Sequence, residues 1–358
     1  MSEFTGFRTR WRRIALGLAL GLGAGAVFSW AKTPIPWMIG PLVTIGLVKL
    51  LGGKPEVLPY GRQGGQWFIG SAVGIYFTPA VLVALLGYVG WIFLGAILTM
   101  VLAALGGLLL ARMSGVDRTS CYFATVPGGA AEMSVLAMKY GGNVPAVAIS
   151  QSLRVSTLVL VIPAVLTYTG FADLDRTAVD MLPPFNVEKF FVLIGITLAS
   201  AVAFAKLRIQ NAWMMGSLIS SAVVAASGIT LSRVPVEIID VAQVMLGMAL
   251  GSRFEREFFL RYKLFIPYAL FNGFFLMVAC AGVAIGIAWA SGLPLGSVLL
   301  ALAPGGIGEM AITAKGLELG VATVTAFQFV RITAANFSPP VVFPLMRKLG
   351  GRWLARSR

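Results

Sequence analysis

Long apolar runs follow one another from Ile14 to Met346, broken by short polar stretches, and none of those stretches could form a soluble domain. Runs near the length that crosses a bilayer core predict transmembrane helices. In the first half they fall over Ile14–Trp30, Pro34–Leu51, Gly64–Phe77, Gly87–Ala111 and Val144–Tyr168, the third being short and stopped by Thr78-Pro79. The second half repeats the order over Phe190–Ala205, Ala212–Ile229, Ile238–Gly251, Leu264–Ala290 and Val321–Met346. Between the halves lies a polar linker, 171–189, with Asp173, Asp175, Asp180 and Glu188. The organisation expected is a first repeat over 1–170, this external linker, a second repeat over 190–346 and a basic cytoplasmic tail over 347–358.

Arg8, Arg10, Arg12 and Arg13 ahead of the first apolar run, with Ala24-Gly25-Ala26 behind it, could be read as a cleaved leader. The ridge Gly17, Gly21, Gly25, at every fourth residue, favours an uncleaved helix packed closely against others.

Two stretches break the apolar pattern in the same way. Ala124 to Arg154 and Ala301 to Arg331 align without a gap at a displacement of 177 residues, and the alignment extended to Pro163 matches at 12 of 40 positions. The shared residues are Pro127/Pro304, Gly128/Gly305, Gly129/Gly306, Glu132/Glu309, Gln151/Gln328 and Arg154/Arg331. Weaker echoes carry the register outward: Trp37-Met38 with Trp213-Met214, Gln66 with Gln243, and Gly70 and Gly74 with Gly247 and Gly251. The chain therefore reads as a duplication over nearly its whole length.

Composition agrees: 58% hydrophobic residues, 12% charged ones and a mean hydropathy of +0.87 describe a polytopic helical membrane protein. Cys121 and Cys280 both lie in apolar sequence and suggest no disulfide framework. There is no histidine. That argues against imidazole metal sites and histidine-based catalysis, so neither an enzyme nor a bound cofactor is expected.

The net charge of +14 raises the question of nucleic acid, and the placement of the basic residues answers it. If each Pro-Gly-Gly segment crosses the membrane, the halves are parallel and the basic loop 253–263 falls outside. If each dips in and returns, the halves have five spans each and are inverted. Then 21 Lys/Arg are cytoplasmic and four (Lys32, Arg176, Lys189, Arg233) are external. The positive-inside rule selects the second arrangement, with both termini cytoplasmic, and accounts for the charge without nucleic acid. The fold class expected is an all-α polytopic membrane protein of two inverted repeats, each with about five transmembrane helices and one re-entrant Pro-Gly-Gly segment.

Inverted repeats with broken helices belong to secondary transporters, whose sites lie where the repeats meet. Proline and two glycines free backbone groups that lipid tolerates only where they are buried in protein or line a cavity. A helix starting after each Gly-Gly would offer its N-terminus to an anion. Within the apolar segments the charges are Glu132, Glu309, Arg154, Arg331 and Lys315, each costing roughly 2.5–3.5 kcal/mol if left unpartnered at the bilayer centre. Two readings stay open. In one, Glu132 pairs with Arg154 and Glu309 with Arg331 as structural bridges. In the other, Arg154 and Arg331, with Gln151 and Gln328 beside them on one helix face, bind an anion, and Glu132 and Glu309 carry the coupling cation. Pro127, Gly128, Gly129, Pro304, Gly305 and Gly306 supply backbone contacts. Pro163 and Pro340 read as kinks, Lys315 and Lys139 as interfacial, and Asn336 as a residue that could line the cavity.

The twofold PGGxxEM followed by Gln-x-x-Arg, in a duplicated chain of this size, resembles the AbrB-type membrane protein family, whose members are often labelled ammonia monooxygenases or regulators. The resemblance covers essentially the full chain and implies a bacterial inner-membrane protein made by duplication. By analogy alone, paired hairpins with glycine-rich tips are also similar to those of carriers that move a substrate domain against a scaffold. The function expected is secondary transport of a small anion, such as an organic acid, coupled to protons or sodium. The alternatives are a channel-like pore for a solute such as ammonia, and a membrane protein with a regulatory role. Partners expected are the lipid bilayer, the anion and the coupling cation, without nucleic acid; a homodimer is left open.

Overall fold

The computed structural model describes residues 2–170 and 182–349, and among them every regular element is a helix. The first half runs through α1 (Ser2–Trp30), α2 (Pro36–Leu50), α3 (Gly61–Gly74), α4 (Pro79–Leu86), α5 (Val89–Ser114), α6 (Arg118–Thr125), α7 (Ala130–Lys139) and α8 (Val144–Tyr168). The second half runs through α9 (Val187–Lys206), α10 (Ala212–Ala226), α11 (Val236–Gly251), α12 (Arg256–Arg261), α13 (Ile266–Ser291), α14 (Leu295–Leu302), α15 (Ile307–Gly316) and α16 (Val321–Leu349).

The duplication is visible in these bounds. Both ends of α5, α6 and α7 recur 177 residues later in α13, α14 and α15, and both ends of α2 recur 176 residues later in α10. The backbone repeats its rarer conformations at the same spacing: Lys32 and Arg208 have φ of 53° and 55°, and Ile35 and Asn211 have φ of 48° and 53°. Asparagine tolerates that left-handed region, whereas a β-branched isoleucine there is strained.

The helices that stand for the expected spans differ in length. Among the described residues, five helices are long and apolar enough to cross a membrane on their own: α1 from Arg10, α5, α8, α9 and α13. The apolar α2 and α10 have 15 residues each. At a rise of 1.5 Å per residue that is about 22 Å, short of a hydrocarbon core of about 30 Å. The segment expected over Gly64–Phe77 begins at Gly61 and turns by 84° into α4, since Pro79 has no N–H with which to continue α3. At the linker, helix α9 already starts at Val187, capped by Asn186 accepting from Lys189 N at 3.0 Å, so 187–189 are helical. The linker residues Asp173, Asp175 and Asp180, the external Arg176, and the tail beyond 349 lie outside the described residues.

Chain contacts divide the protein into two units, each drawn from both halves. One comprises Met1–Leu86, Leu160–Arg261 and Ala311–Ala322. Here glycines let backbones touch. A Cβ on Gly70 would meet the Met214 carbonyl and one on Gly74 the Leu218 carbonyl, while Gly247 and Gly251 sit in the same way on the carbonyls of Met38 and Leu42. These are the same two contacts made twice, and they account for the glycine echoes in the sequence. Each pair advances four residues on both helices, so α3 runs alongside α10 in the same direction, and α2 alongside α11. By contrast α3 and α11 cross antiparallel: Gly61 faces Met245 and Gly65 faces Ala242. The α1 ridge packs as expected, with Gly17 on the Glu56 carbonyl, Gly21 on Met248 and Gly25 on the Trp37 ring. Close approach of this kind is how helices associate where lipid removes the hydrophobic drive between them.

The other unit comprises Gly87–Val159, Tyr262–Met310 and Thr323–Arg358. It holds both Pro-Gly-Gly turns. Helix α5 packs on α6 and α13, and α13 packs on α14. Gly107 leaves room for α6, a Cβ there coming within 3.2 Å of the Cys121 carbonyl, and Thr125 Oγ1 donates to the Ala103 carbonyl at 2.9 Å.

Candidate functional site

Each Pro-Gly-Gly turn joins two short helices end to end: α6 to α7 through Val126–Gly129, and α14 to α15 through Ala303–Gly306. A helix C-terminus leaves its last carbonyls without intrahelical partners, and in an apolar setting each must find a donor. For α6 the donors come from α8. Gln151 Nε2 donates to the carbonyls of Phe123 (2.7 Å) and Val126 (2.9 Å), Ser150 Oγ to Ala124 (3.2 Å), and Arg154 Nη1 to Thr125 (2.7 Å). Arg154 Nη2 is held by Gln151 Oε1 at 2.7 Å. The second copy repeats the core of this pattern: Gln328 Nε2 donates to Leu300 and Ala303, both at 3.0 Å, and Arg331 donates to Ala303 and to Gly305 within the turn.

These hydrogen bonds show what Gln-x-x-Arg holds in the fold. The two residues lie three apart on one helix face, as expected, and that face grips the C-terminal end of the preceding half-helix. All four side chains are buried, Arg154 at 3% and Arg331 at 1% exposure. Both guanidiniums direct Nη donors to backbone carbonyls, and Glu132 forms no bridge to Arg154 among the described residues. The reason is competition: helix-end carbonyls carry the negative pole of the dipole and surround each guanidinium. Hydrogen bonds to a charged group contribute about 1.5–3 kcal/mol each, enough to offset the insertion cost of the charge. Each arginine keeps one buried N–H, at Nε, without a partner, and Gln328 Oε1 is likewise unsatisfied. Arg154 lies within electrostatic reach of Arg331, and both reach Cys280 on α13; a Cβ on Gly273 of the same helix would lie 3.8 Å from Arg154 Cα.

The helices α7 and α15 begin directly after the glycines, as the sequence predicts. Gly129 is the residue before α7 and Glu132 lies in its first turn. The Glu132 carboxylate folds back over Gly129 into the space a Cβ there would fill, and Glu309 does the same over Gly306. One residue earlier, Gly128 makes room for Met133 and Gly305 for Met310. The spacing PGGxxEM thus has a local cause: the first glycine accommodates the methionine five residues on, and the second accommodates the glutamate three residues on. A carboxylate in the first turn is favoured by the helix dipole. Glu132 Oε2 is nevertheless buried and accepts no hydrogen bond among the described residues.

Pro127 and Pro304 start the turns, and the next glycine closes each one: Gly128 N donates to Val126 O at 2.8 Å and Gly305 N to Ala303 O at 2.7 Å. Pro163 and Pro340 lie inside α8 and α16. Asn336 Oδ1 is buried and unsatisfied. Lys139 is exposed, and Lys315 is partly buried in the other unit, within electrostatic reach of Asp240. Ser150 had no signal in the sequence, because its counterpart is Phe327. An apolar cavity of about 250 Å³ lined by Ile75, Pro79, Leu193 and Ser221 contains none of these candidates.

Known proteins agree with a full-length relationship. The chain is 27% identical over 362 residues to the uncharacterized protein YhjN of Bacillus subtilis (strain 168), covering 93% of each. It is also 27% identical over 334 residues to a protein of Escherichia coli (strain K12) named as a regulator, AbrB, covering 91% of this chain and 93% of that one. Residues 37–347 match the family described as "Transition state regulatory protein AbrB". That span contains both Pro-Gly-Gly turns and both arginines, so the duplicated site lies within the family's shared region and the chain belongs to the AbrB family.

Proposed function

We propose that the protein is a secondary transporter of a small anionic solute, an organic acid by preference, coupled to a proton or sodium and working by alternating access. The observation that carries this reading is the pair of broken helices in one unit, each with its C-terminal end held by a buried glutamine and arginine and its N-terminal end occupied by a glutamate. Broken helices whose ends face each other at membrane depth are how carriers build solute sites.

The repeats are inverted in this reading. Support comes from the helix directions: α2 and α11 run together, yet α3 and α11, which are counterparts, cross antiparallel. A parallel duplication would point counterparts the same way. Re-entrant Pro-Gly-Gly segments follow, with both termini cytoplasmic in a bacterial inner membrane, as the distribution of basic residues requires.

The site then works by exclusion. Ionised, Glu132 and Glu309 fill the first turns of α7 and α15 with their own negative charge. Protonated, or masked by sodium, they leave those N-termini positive, and an anion can take the free amides. Arg154 and Arg331 position the turns and contribute net positive charge and one free N–H each. Anion and coupling cation enter together because neither is accommodated well alone.

The test is uptake into proteoliposomes. Transport should saturate, show counterflow and respond to an imposed proton or sodium gradient, whereas a pore would give flux with neither saturation nor counterflow. The name of the Escherichia coli relative offers a regulatory reading, and no residue of the site argues for it.

A further inference from the structure

One cluster of charge breaks the twofold pattern. Asp240 and Gln243 lie on α11 and Lys315 lies in the last turn of α15, all in the unit that lacks the Pro-Gly-Gly turns. At their counterpart positions the first half has Gln63, Gln66 and Met138, so neither charge is duplicated.

The packing of the helices brings the three positions near one level. Gly316 lies against Ile35, a Cβ there coming within 3.5 Å of Ile35 Cγ1. Ile35 precedes α2 by one residue. One turn further on, Met38 carries Gly247 on its carbonyl, and because α2 and α11 run in the same direction, the residue one turn before Gly247 falls near the level of Ile35. That residue is Gln243, whose Nε2 donates to Asp240 Oδ1 at 3.4 Å. Lys315 and Asp240 attract each other, while Glu237 and Arg233 are the other charged groups facing the pair.

In the first half the same amide is satisfied: Gln66 Nε2 donates to Asn211 Oδ1 at 2.9 Å. Asn211 corresponds to Ile35, which offers no polar side chain. Gln243, only 8% exposed, is left with its Oε1 buried and without a partner. Turning the Gln243 amide over would bring its oxygen to the Asp240 side, and a carboxylate with an amide oxygen, within electrostatic reach of a lysine, are oxygen ligands for a cation with the ammonium as a built-in competitor.

We propose that Asp240 and the Gln243 carbonyl oxygen form a single-copy site for a monovalent cation, proton or sodium, from which Lys315 is displaced when the cation binds. The site is separate from the glutamates of the Pro-Gly-Gly turns, and it stands or falls independently of anion transport. It does share a helix with one of them: α15 carries Glu309 in its first turn and Lys315 in its last.

The test uses purified full-length protein and its unfolding midpoint, titrated with sodium chloride against choline chloride at constant ionic strength, and separately with acid. Wild type should be stabilised by sodium or by acid, which identifies the cation. Asp240→Asn should fold and lose that response. Lys315→Met should respond at a concentration about tenfold lower, because the competitor is gone. Gln243→Leu, a variant that removes the unsatisfied oxygen without changing charge, should weaken the response and retain the fold. An Asp240→Asn protein that responds as wild type does, or a wild type indifferent to both sodium and acid, overturns the proposal.

Discussion

The Glu132 carboxylate occupies the space above Gly129 that any other residue would fill with its own Cβ. The relation is duplicated in Glu309 and Gly306, and it ties the motif's second glycine to its acid. Adding a methyl group there must move the carboxylate, since the peptide backbone of the turn cannot yield.

Gly129→Ala and Gly306→Ala should therefore lose uptake while keeping most of their stability. The first turn loses a favourable charge worth about 0.3–1 kcal/mol, a small drop in thermal midpoint. Gradient-driven transport should fall by about tenfold or more, since the displaced acid no longer exchanges with the anion. Thermal unfolding and uptake measured on the same preparations check the split. Equal loss of both would make the glycines purely structural.

Glu132→Gln keeps the shape and removes the charge. It should fold normally and lose the dependence of uptake on the coupling gradient, with exchange retained. A lower yield of folded protein in membranes would instead assign Glu132 a structural role.

The arginines are expected to behave differently. Arg154→Ala strips donors from the end of α6 and Arg331→Ala from the end of α14. Each leaves buried carbonyls unsatisfied at about 1–3 kcal/mol apiece, so both variants should melt several degrees lower even without solute. Gln151→Leu should have a similar effect through the carbonyls of Phe123 and Val126. Unchanged midpoints in all three would contradict the capping role.

How much of this could be read from the chain depends on the range of the interaction. The helix starts at Ala130 and Ile307 were legible because proline and glycine act locally. The duplication was legible because the two copies keep Gln and Arg in register. What those residues touch was not, since Arg154 reaches a carbonyl 29 residues back and only the fold brings the two together. The same holds for Lys315, whose interaction with Asp240 joins positions far apart in the chain. Helix length was not legible either, because apolar composition does not reveal that α2 and α10 stop at 15 residues, or that the chain turns by 84° between α3 and α4.

The glycine contacts give a prediction about packing. Gly74→Val and Gly251→Val each drive a side chain into a helix backbone, Leu218 and Leu42 respectively. Overpacking of this kind costs about 1–3 kcal/mol or more, and the two substitutions should destabilise to a similar degree because they are the same contact in two copies. Midpoints measured in detergent decide it, and one tolerated substitution beside one severe one would break the equivalence of the halves.

The central claim is that the broken helices bind a small anion. Thermal stabilisation of the purified protein across carboxylates, phosphate, sulfate, amino acids and ammonium tests it most directly, repeated on Glu132→Gln and Arg154→Ala. The account predicts that one class of anion, carboxylates first, raises the wild-type midpoint in a saturable way, that Glu132→Gln binds it without added acid or sodium, and that Arg154→Ala does not respond. An absence of any anion effect, with stabilisation by ammonium alone, would contradict it.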